Sequence, residues 1–158
     1  MKTILFLCSG NYFRSRFAEL LFNQLAAAAT LQARATSAGL APQCHTRNPG
    51  PISSHTLAGL QARGVALQAS PRAPRDVTAD DLAGADLIIA IKETEHRPML
   101  EERFPGWADR VRYWNVDDMP EVPAAEALAR LEPLVRALIA EIAAAPPAPP
   151  PLLGPSRA

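Results

Sequence analysis

The sequence predicts an α/β domain in which a four-stranded parallel sheet carries helices on both faces. Three observations lead there. Two short runs, TILFL (residues 3–7) and DLIIAI (residues 86–91), are apolar almost throughout, the pattern of strands covered on both sides. The segments between strand candidates place apolar residues three and four apart, as helices do. Strand and helix patterns alternate along the chain, which calls for parallel pairing through helical crossovers.

Taken in order, the first strand runs straight into CSGNYFRS (residues 8–15), a turn too polar for a core. A helix is expected over residues 15–29, with Phe17, Leu20, Leu21, Leu25 and Ala28 inward and Glu19, Asn23 and Gln24 on the other side. A second strand follows at 33–37, ended by Gly39. APQCHTRNPGP (41–51) is loop by composition. Residues 52–63 read as a helix carrying Leu57 and Leu60, closed by Gly64 at the C′ position. Thr78-Ala-Asp-Asp resembles a capping box that opens a short helical turn. The strongest strand, 86–91, is followed by a helix over 92–104 weakened by Pro98. A last strand is expected at 111–115.

The final helix, 124–144, turns Leu128, Leu131, Val135, Leu138, Ile139 and Ile142 inward, with a kink or a division at Pro133. Residues 1–144 thus form one domain. Residues 145–158 hold six of the sixteen prolines and read as a polyproline II or disordered tail.

The 158 residues suffice to bury a substantial core, and 16 basic residues balance 16 acidic ones. That balance gives no electrostatic reason to expect nucleic acid or an anionic membrane as partner. The apolar run at the N-terminus is cut short by Ser9, Gly10, Asn11 and Arg14, so it does not make a secretory leader. Two cysteines, Cys8 and Cys44, make no disulfide framework. A cytoplasmic protein with free thiols is expected. His45, His55 and His96 have no ligand-like spacing, so neither a metal nor another cofactor is expected. Trp107 and Trp114 read as packing residues.

In open parallel sheets ligands bind at the carboxyl ends of the strands, which is where CSGNYFRS lies. The unpaired N–H groups and the dipole of the following helix attract an anion there. Gly10 and Asn11 both tolerate the positive φ that turns several N–H groups inward. Arg14 adds a planar fork that matches two phosphate oxygens. The same surroundings favour a thiolate at Cys8, a strong nucleophile toward phosphorus. Ser15 is placed to donate its hydroxyl to that sulfur. The alternative is a buried apolar Cys8 and a solvated Arg14. Cys-x5-Arg-Ser on a strand–helix junction, with Gly and Asn inside it, outweighs that alternative.

FLCSGNYFRSRFAE resembles the phosphate-binding loop of the low-molecular-weight protein tyrosine phosphatases, a family that includes thioredoxin-coupled arsenate reductases. The likeness continues through TSAGL (36–40), GLQARGV, TADDLAGADLIIAI and WNVDD, over roughly the first 120 residues and more loosely the final helix. It implies a four-stranded parallel sheet with the phosphate-binding loop after the first strand, and metal-free hydrolysis through a phosphocysteine. Cys8 is then the nucleophile and Arg14 the clamp. Ser9, Gly10, Asn11, Tyr12, Phe13 and Ser15 form the substrate-binding set, with Asn11 and Ser15 also steadying the loop and thiolate. The expected substrate is a phosphorylated protein or a small phosphomonoester.

Such a reaction gains roughly two to four orders of magnitude from a carboxylic acid that protonates the leaving group. WNVDDMP offers two. In the family the acid directly precedes a proline, a position that matches Asp118, with Met119 where the proline would be; Asp117 is the alternative. Phe13 stands where the family often has a second cysteine, and Arg16 where it usually has a proline, adding positive charge at the mouth. The tyrosines that usually follow the acid are replaced by MPEVPAA. Tyr12 either lines the substrate slot or packs on a helix. Cys44 either approaches Cys8 or stays inert. Two other readings remain: a phosphate-binding module with impaired turnover, suggested by the altered acid loop, and a thiol-dependent arsenate reductase, disfavoured because no cysteine follows Cys44.

Overall fold

The structure is a computed structural model and describes residues 1–146. The tail expected over 145–158 therefore lies, but for its first two residues, outside the described residues. In chain order the strands are β1 (Lys2–Cys8), β2 (Ala33–Gly39), β3 (Leu87–Ala90) and β4 (Arg112–Tyr113). The helices are α1 (Arg14–Ala28), α2 (Ser54–Ala62), α3 (Ala79–Gly84), α4 (Glu93–Arg103) and α5 (Ala124–Ala144). All strand pairings are parallel, in the order β2-β1-β3-β4.

Period-two alternation along β1 divides the core in two. Ile4, Phe6 and Cys8 face one cluster with Phe17, Leu21, Phe22, Leu60, Leu131 and Val135, from α1, α2 and α5. Leu5 and Leu7 face the other, with Leu82 from α3 and Leu100 from α4. The central strand β1 is thus covered on both sides, which is why its sequence is continuously apolar.

The helical periodicities place the elements to within a residue or two, with several corrections. On α1 the inward stripe is Phe17, Ala18, Leu21, Phe22 and Ala26, and Ala28 is exposed. Glu19 and Asn23, read as a polar outer face, are half-buried. The Asn23 carboxamide donates to the Ala35 carbonyl at 3.0 Å and accepts from the Ala35 N–H at 2.8 Å. It closes the open edge of β2 as a neighbouring strand would. The short α3 opens on the expected capping box between Thr78 and Asp81. Gly64 follows α2 at φ +72, the left-handed C′ residue its position called for.

β4 has only two residues rather than five, pairing with Ile89 and Ala90 alone. Trp114 and Val116 still donate to Ala90 and Ile91 carbonyls, so the strand's path continues past its ladder. Neither Pro98 nor Pro133 divides its helix; α5 runs unbroken through Pro133. Both prolines are exposed, and so are Thr94 and Ala129, the residues four before them. Each carbonyl left without a donor thus belongs to an exposed residue, where water can serve as donor in place of the helical bond. Pro133→Ala should accordingly raise stability, by up to about 3 kcal/mol, seen as a higher Tm in thermal unfolding. A lower Tm would show that the ring contributes packing that its exposure does not suggest.

Candidate active site

The loop between β1 and α1 is held by its carbonyls. Those of Cys8 and Ser9 accept the N–H groups of Leu40 and Ala41, each at 2.9 Å. The Asn11 carbonyl accepts Arg16 Nη1 at 3.5 Å, Tyr12 accepts the Ser53 N–H at 3.0 Å, and Phe13 accepts Thr56 Oγ1 at 3.0 Å. In a trans peptide the N–H points opposite to the C=O, so carbonyls tied outward turn the loop amides inward. At the end of the loop Phe13 is the N-cap of α1, with no side-chain cap and no acidic residue in the first turn. The positive end of α1 faces the enclosed space.

Asn11 bears the conformational cost, at φ 50, and is fully buried. Its Nδ2 donates to Ser15 Oγ at 3.0 Å and Ser37 Oγ at 2.9 Å. Its Oδ1 accepts Arg72 Nη1 at 2.9 Å and the Arg75 N–H at 3.1 Å. Gly10, expected to share the left-handed backbone, does not adopt it. Its requirement is space, because a Cβ there would stand 3.0 Å from the His45 ring. Gly39 is tighter still, since a Cβ would come within 2.9 Å of the Ser9 carbonyl oxygen.

Cys8 Sγ lies 2.8 Å from Ser15 Oγ. A cleft of about 190 Å³ opens above it, lined by Gly10, Tyr12, Phe13, Arg14, His45, Asn48, Asp118 and Met119. Tyr12 lines this cleft, with its hydroxyl donating to the Pro49 carbonyl at 2.5 Å. The side chains of Ser9, Asn11 and Ser15, all placed in the expected substrate-binding set, are buried. Ser15 bonds to the Cys8 sulfur and Asn11 to Ser15, the steadying contacts expected of them, while Ser9 bonds to Glu95. Arg16 is not at the mouth either. It is 2% exposed, with its guanidinium on the carbonyls of Asn11, Pro51 and Arg72. Both cysteines are free, and Cys44 is exposed.

Arg14 is 1% exposed and is gripped from α4. Its Nη1 and Nη2 meet Glu95 Oε2 and Oε1 at 3.0 and 2.7 Å, a fork-to-fork pair. Nη1 also donates to the Val116 carbonyl at 3.0 Å, and Nη2 to Asp118 Oδ2 at 3.2 Å. Burial would lower the Arg14 pKa, but Glu95, Cys8 and Asp118 outweigh it and the pKa is raised. Asp117 faces elsewhere, in an ion pair with Lys92 Nζ.

Glu95 is held in turn. Ser9 Oγ donates to Glu95 Oε1 at 2.6 Å and lies 3.2 Å from His96 Nε2. His96 Nδ1 accepts the Lys92 N–H at 3.0 Å, which assigns the proton of the neutral ring to Nε2. Nε2–H is then shared between Ser9 Oγ and, at 3.4 Å, Glu95 Oε1, while Ser9 donates its own proton to Glu95. Burial would raise the Glu95 pKa, but bonds from His96, Arg14 and Ser9 hold it well below the ordinary 4.5. For His96, burial outweighs Glu95 and lowers the pKa from 6.5.

Sequence reading missed Glu95, His96, Ser37, Arg72 and Arg75. Glu95 and His96 follow β3 directly, at the carboxyl end where the ligand rule places function, and that was the available clue. Among the described residues no group of three His, Cys, Asp or Glu side chains is placed to hold a metal.

The family model for low molecular weight phosphotyrosine protein phosphatases matches residues 3–144. The chain belongs to this family. It is 29% identical over 110 residues to a protein-arginine-phosphatase of Bacillus subtilis, covering 68% of this chain and 67% of that one. The crystal structure of a low molecular weight protein tyrosine phosphatase from T. tengcongensis superposes with a TM-score of 0.74 at 26% identity, over 89% of this chain and 99% of that one. YfkJ from Bacillus subtilis gives 0.78 at 25%, over 90% and 95%. This phosphatase is a cysteine-based enzyme with the family's four-stranded parallel fold. The arsenate-reductase and impaired-module readings are not favoured.

Two outcomes follow from the site's geometry. The folded pKa of His96 is depressed, so its contribution is complete above about pH 6.5 and is lost as pH falls below that value; Glu95 adds a further loss below about 4.5. The Tm of the phosphatase should fall as the pH drops below about 6.5, and His96→Gln should flatten that slope. Gly39→Ala, which forces the Ser9 carbonyl to move, should cost about 1–3 kcal/mol and a larger share of the activity. Full activity in Gly39→Ala would show that the loop tolerates displacement.

Proposed function

We propose that the phosphatase hydrolyses phosphorylated protein side chains, with Cys8 as nucleophile, Arg14 and the loop amides as phosphate clamp, and Asp118 as general acid. The observation that carries this reading is the convergence of Cys8, Arg14 and Asp118 on one cleft, with Ser15 Oγ on the sulfur. The Cys8 thiolate attacks phosphorus as the bond to the leaving group breaks, and Asp118 gives its proton to that group. Asp118, now a carboxylate, takes a proton from water, whose oxygen attacks the phosphocysteine and releases the thiolate. Ser15 and the end of α1 stabilise the negative sulfur at both stages. The Arg14 Nη2 donor that Asp118 occupies at 3.2 Å passes to the substrate phosphate. Glu95 holds the guanidinium plane from behind. Asp117 is tied to Lys92 and does not line the cleft, which supports Asp118 as the acid.

Tyr12, Phe13, His45 and Met119 give the cleft an aromatic and apolar entrance suited to a phosphotyrosine ring. The likeness to a protein-arginine-phosphatase supports a second reading, phosphoarginine. We also place the enzyme in the cytoplasm, supported by its two free thiols. No helix among the described residues is long and apolar enough to cross a membrane.

Cys8→Ser should abolish hydrolysis of aryl phosphates, and intact turnover in that variant would falsify the mechanism. Asp118→Ala should slow poor leaving groups by roughly two to four orders of magnitude and good ones far less, whereas Asp117→Ala should not discriminate. Assays on one peptide phosphorylated at tyrosine or at arginine decide between the substrate readings by the ratio of kcat/KM.

A further inference from the structure

A cleft larger than the one above Cys8 lies along the outer edge of β2, between α1 and residues 65–72, with a volume of about 800 Å³. That size is typical of small-molecule sites. Its walls divide by chemistry. Leu20, Leu57, Val65 and Leu67 supply an apolar side, and Leu67 is one of the exposed large hydrophobic residues of the described structure. Arg16, Arg34, Arg72 and Arg75 line the other side with Glu19, and Asp81 pairs with Arg75 at 2.8 Å, so the wall keeps a net positive charge.

Arg16 points to what is missing. It is 2% exposed, and its Nε is buried without a hydrogen-bond partner among the described residues. The Glu19 oxygen beside it is 3.9 Å away and already accepts from Ser37 and Arg72. A buried donor without an acceptor costs free energy unless an ion or water completes it. Burial and the neighbouring Arg72 charge push the Arg16 pKa down to about 10. An anion bound at the more exposed Arg72, drawn in between the two arginines by a shift of the Arg16 side chain, supplies the acceptor and relieves the repulsion.

We propose that this cleft binds a small organic anion, an acidic group on an apolar body, and that occupancy is transmitted to the catalytic loop through Asn11. The acidic group sits between Arg16 and Arg72, and the apolar body lies against Leu20 and Leu67. The same two arginines hold the Asn11 carbonyl and Oδ1, at 3.5 and 2.9 Å. A ligand that redirects either of them acts on the left-handed residue of the catalytic loop. The binding claim is independent of the proposed catalytic roles; the transmission claim rests on them.

Anilinonaphthalene sulfonate, an aryl sulfonate whose fluorescence rises on binding, is a suitable probe. It is titrated into the full chain saturated with vanadate, so that the catalytic cleft is filled. One saturable site is expected. Arg34→Glu, at an exposed cleft position outside the catalytic machinery, should weaken it about tenfold or more. Arg136→Glu, on the outer face of α5, should leave it unchanged. The dye should also raise the Tm of the wild-type chain but not of Arg34→Glu. Equal binding to both charge-reversal variants, or full displacement of the dye by vanadate that Arg34→Glu does not alter, overturns the cleft as a site. Binding as expected with no change in KM or kcat for an aryl phosphate overturns the transmission. Loss of phosphatase chemistry in the wild type, with dye binding intact, would instead implicate the catalytic reading.

Discussion

Asn11 sits at φ 50 with both ends of its carboxamide engaged, and the geometry of the catalytic loop depends on that arrangement. A non-glycine residue in the left-handed region stores strain that the surroundings must offset. Here they do so with four hydrogen bonds from α1, β2 and residues 72–75. Ser37 adds a bond to Glu19, and Glu19 one to Arg72, so the ring of contacts closes on itself. The strand that ends in Gly39 can approach this ring because it presents no side chain there. The loop is therefore shaped by contacts within the fold, and the cost of ordering it has been met in folding.

The other half of the site is electrostatic. Arg14 is almost fully enclosed, and an isolated buried cation would be costly. Glu95 compensates it through two parallel bonds, and Ser9 and His96 fix Glu95 from the opposite side. Helix α4 thereby reaches across the carboxyl ends of β3 and β1 to a residue on α1. Three consecutive positions of β1 and its loop have separate tasks: Cys8 faces the cleft, Ser9 faces α4, and Gly10 leaves room for His45.

The sheet was legible because its central strands are buried on both faces and must be apolar there, as in residues 4–7 and 88–90. The loop was legible because its distinctive residues are local, with Cys8, the left-handed Asn11 and Arg14 all within eight positions. What escaped notice depends on distant partners. Glu19 and Asn23 follow a solvated helical pattern, yet an edge strand has polar groups to satisfy, and both turn toward β2. Arg72 and Arg75 lie in a stretch without periodicity, where nothing nearby in the sequence hints at Asn11. The exposure of Pro98 and Pro133, which lets both helices continue, also depends on tertiary placement rather than on residue type.

The contact between Asp118 and Arg14 places a tethered carboxylate on the guanidinium. An oxyanion taking that donor, as the proposed mechanism requires, exchanges with this carboxylate rather than neutralising a bare positive charge. An exchange discriminates against singly charged, weakly coordinating ions such as chloride, which gain too little from the loop amides to displace a tethered carboxylate. Under the proposed mechanism, a phosphate that takes this donor also leaves the Asp118 carboxylate able to take up the proton that the leaving group then receives.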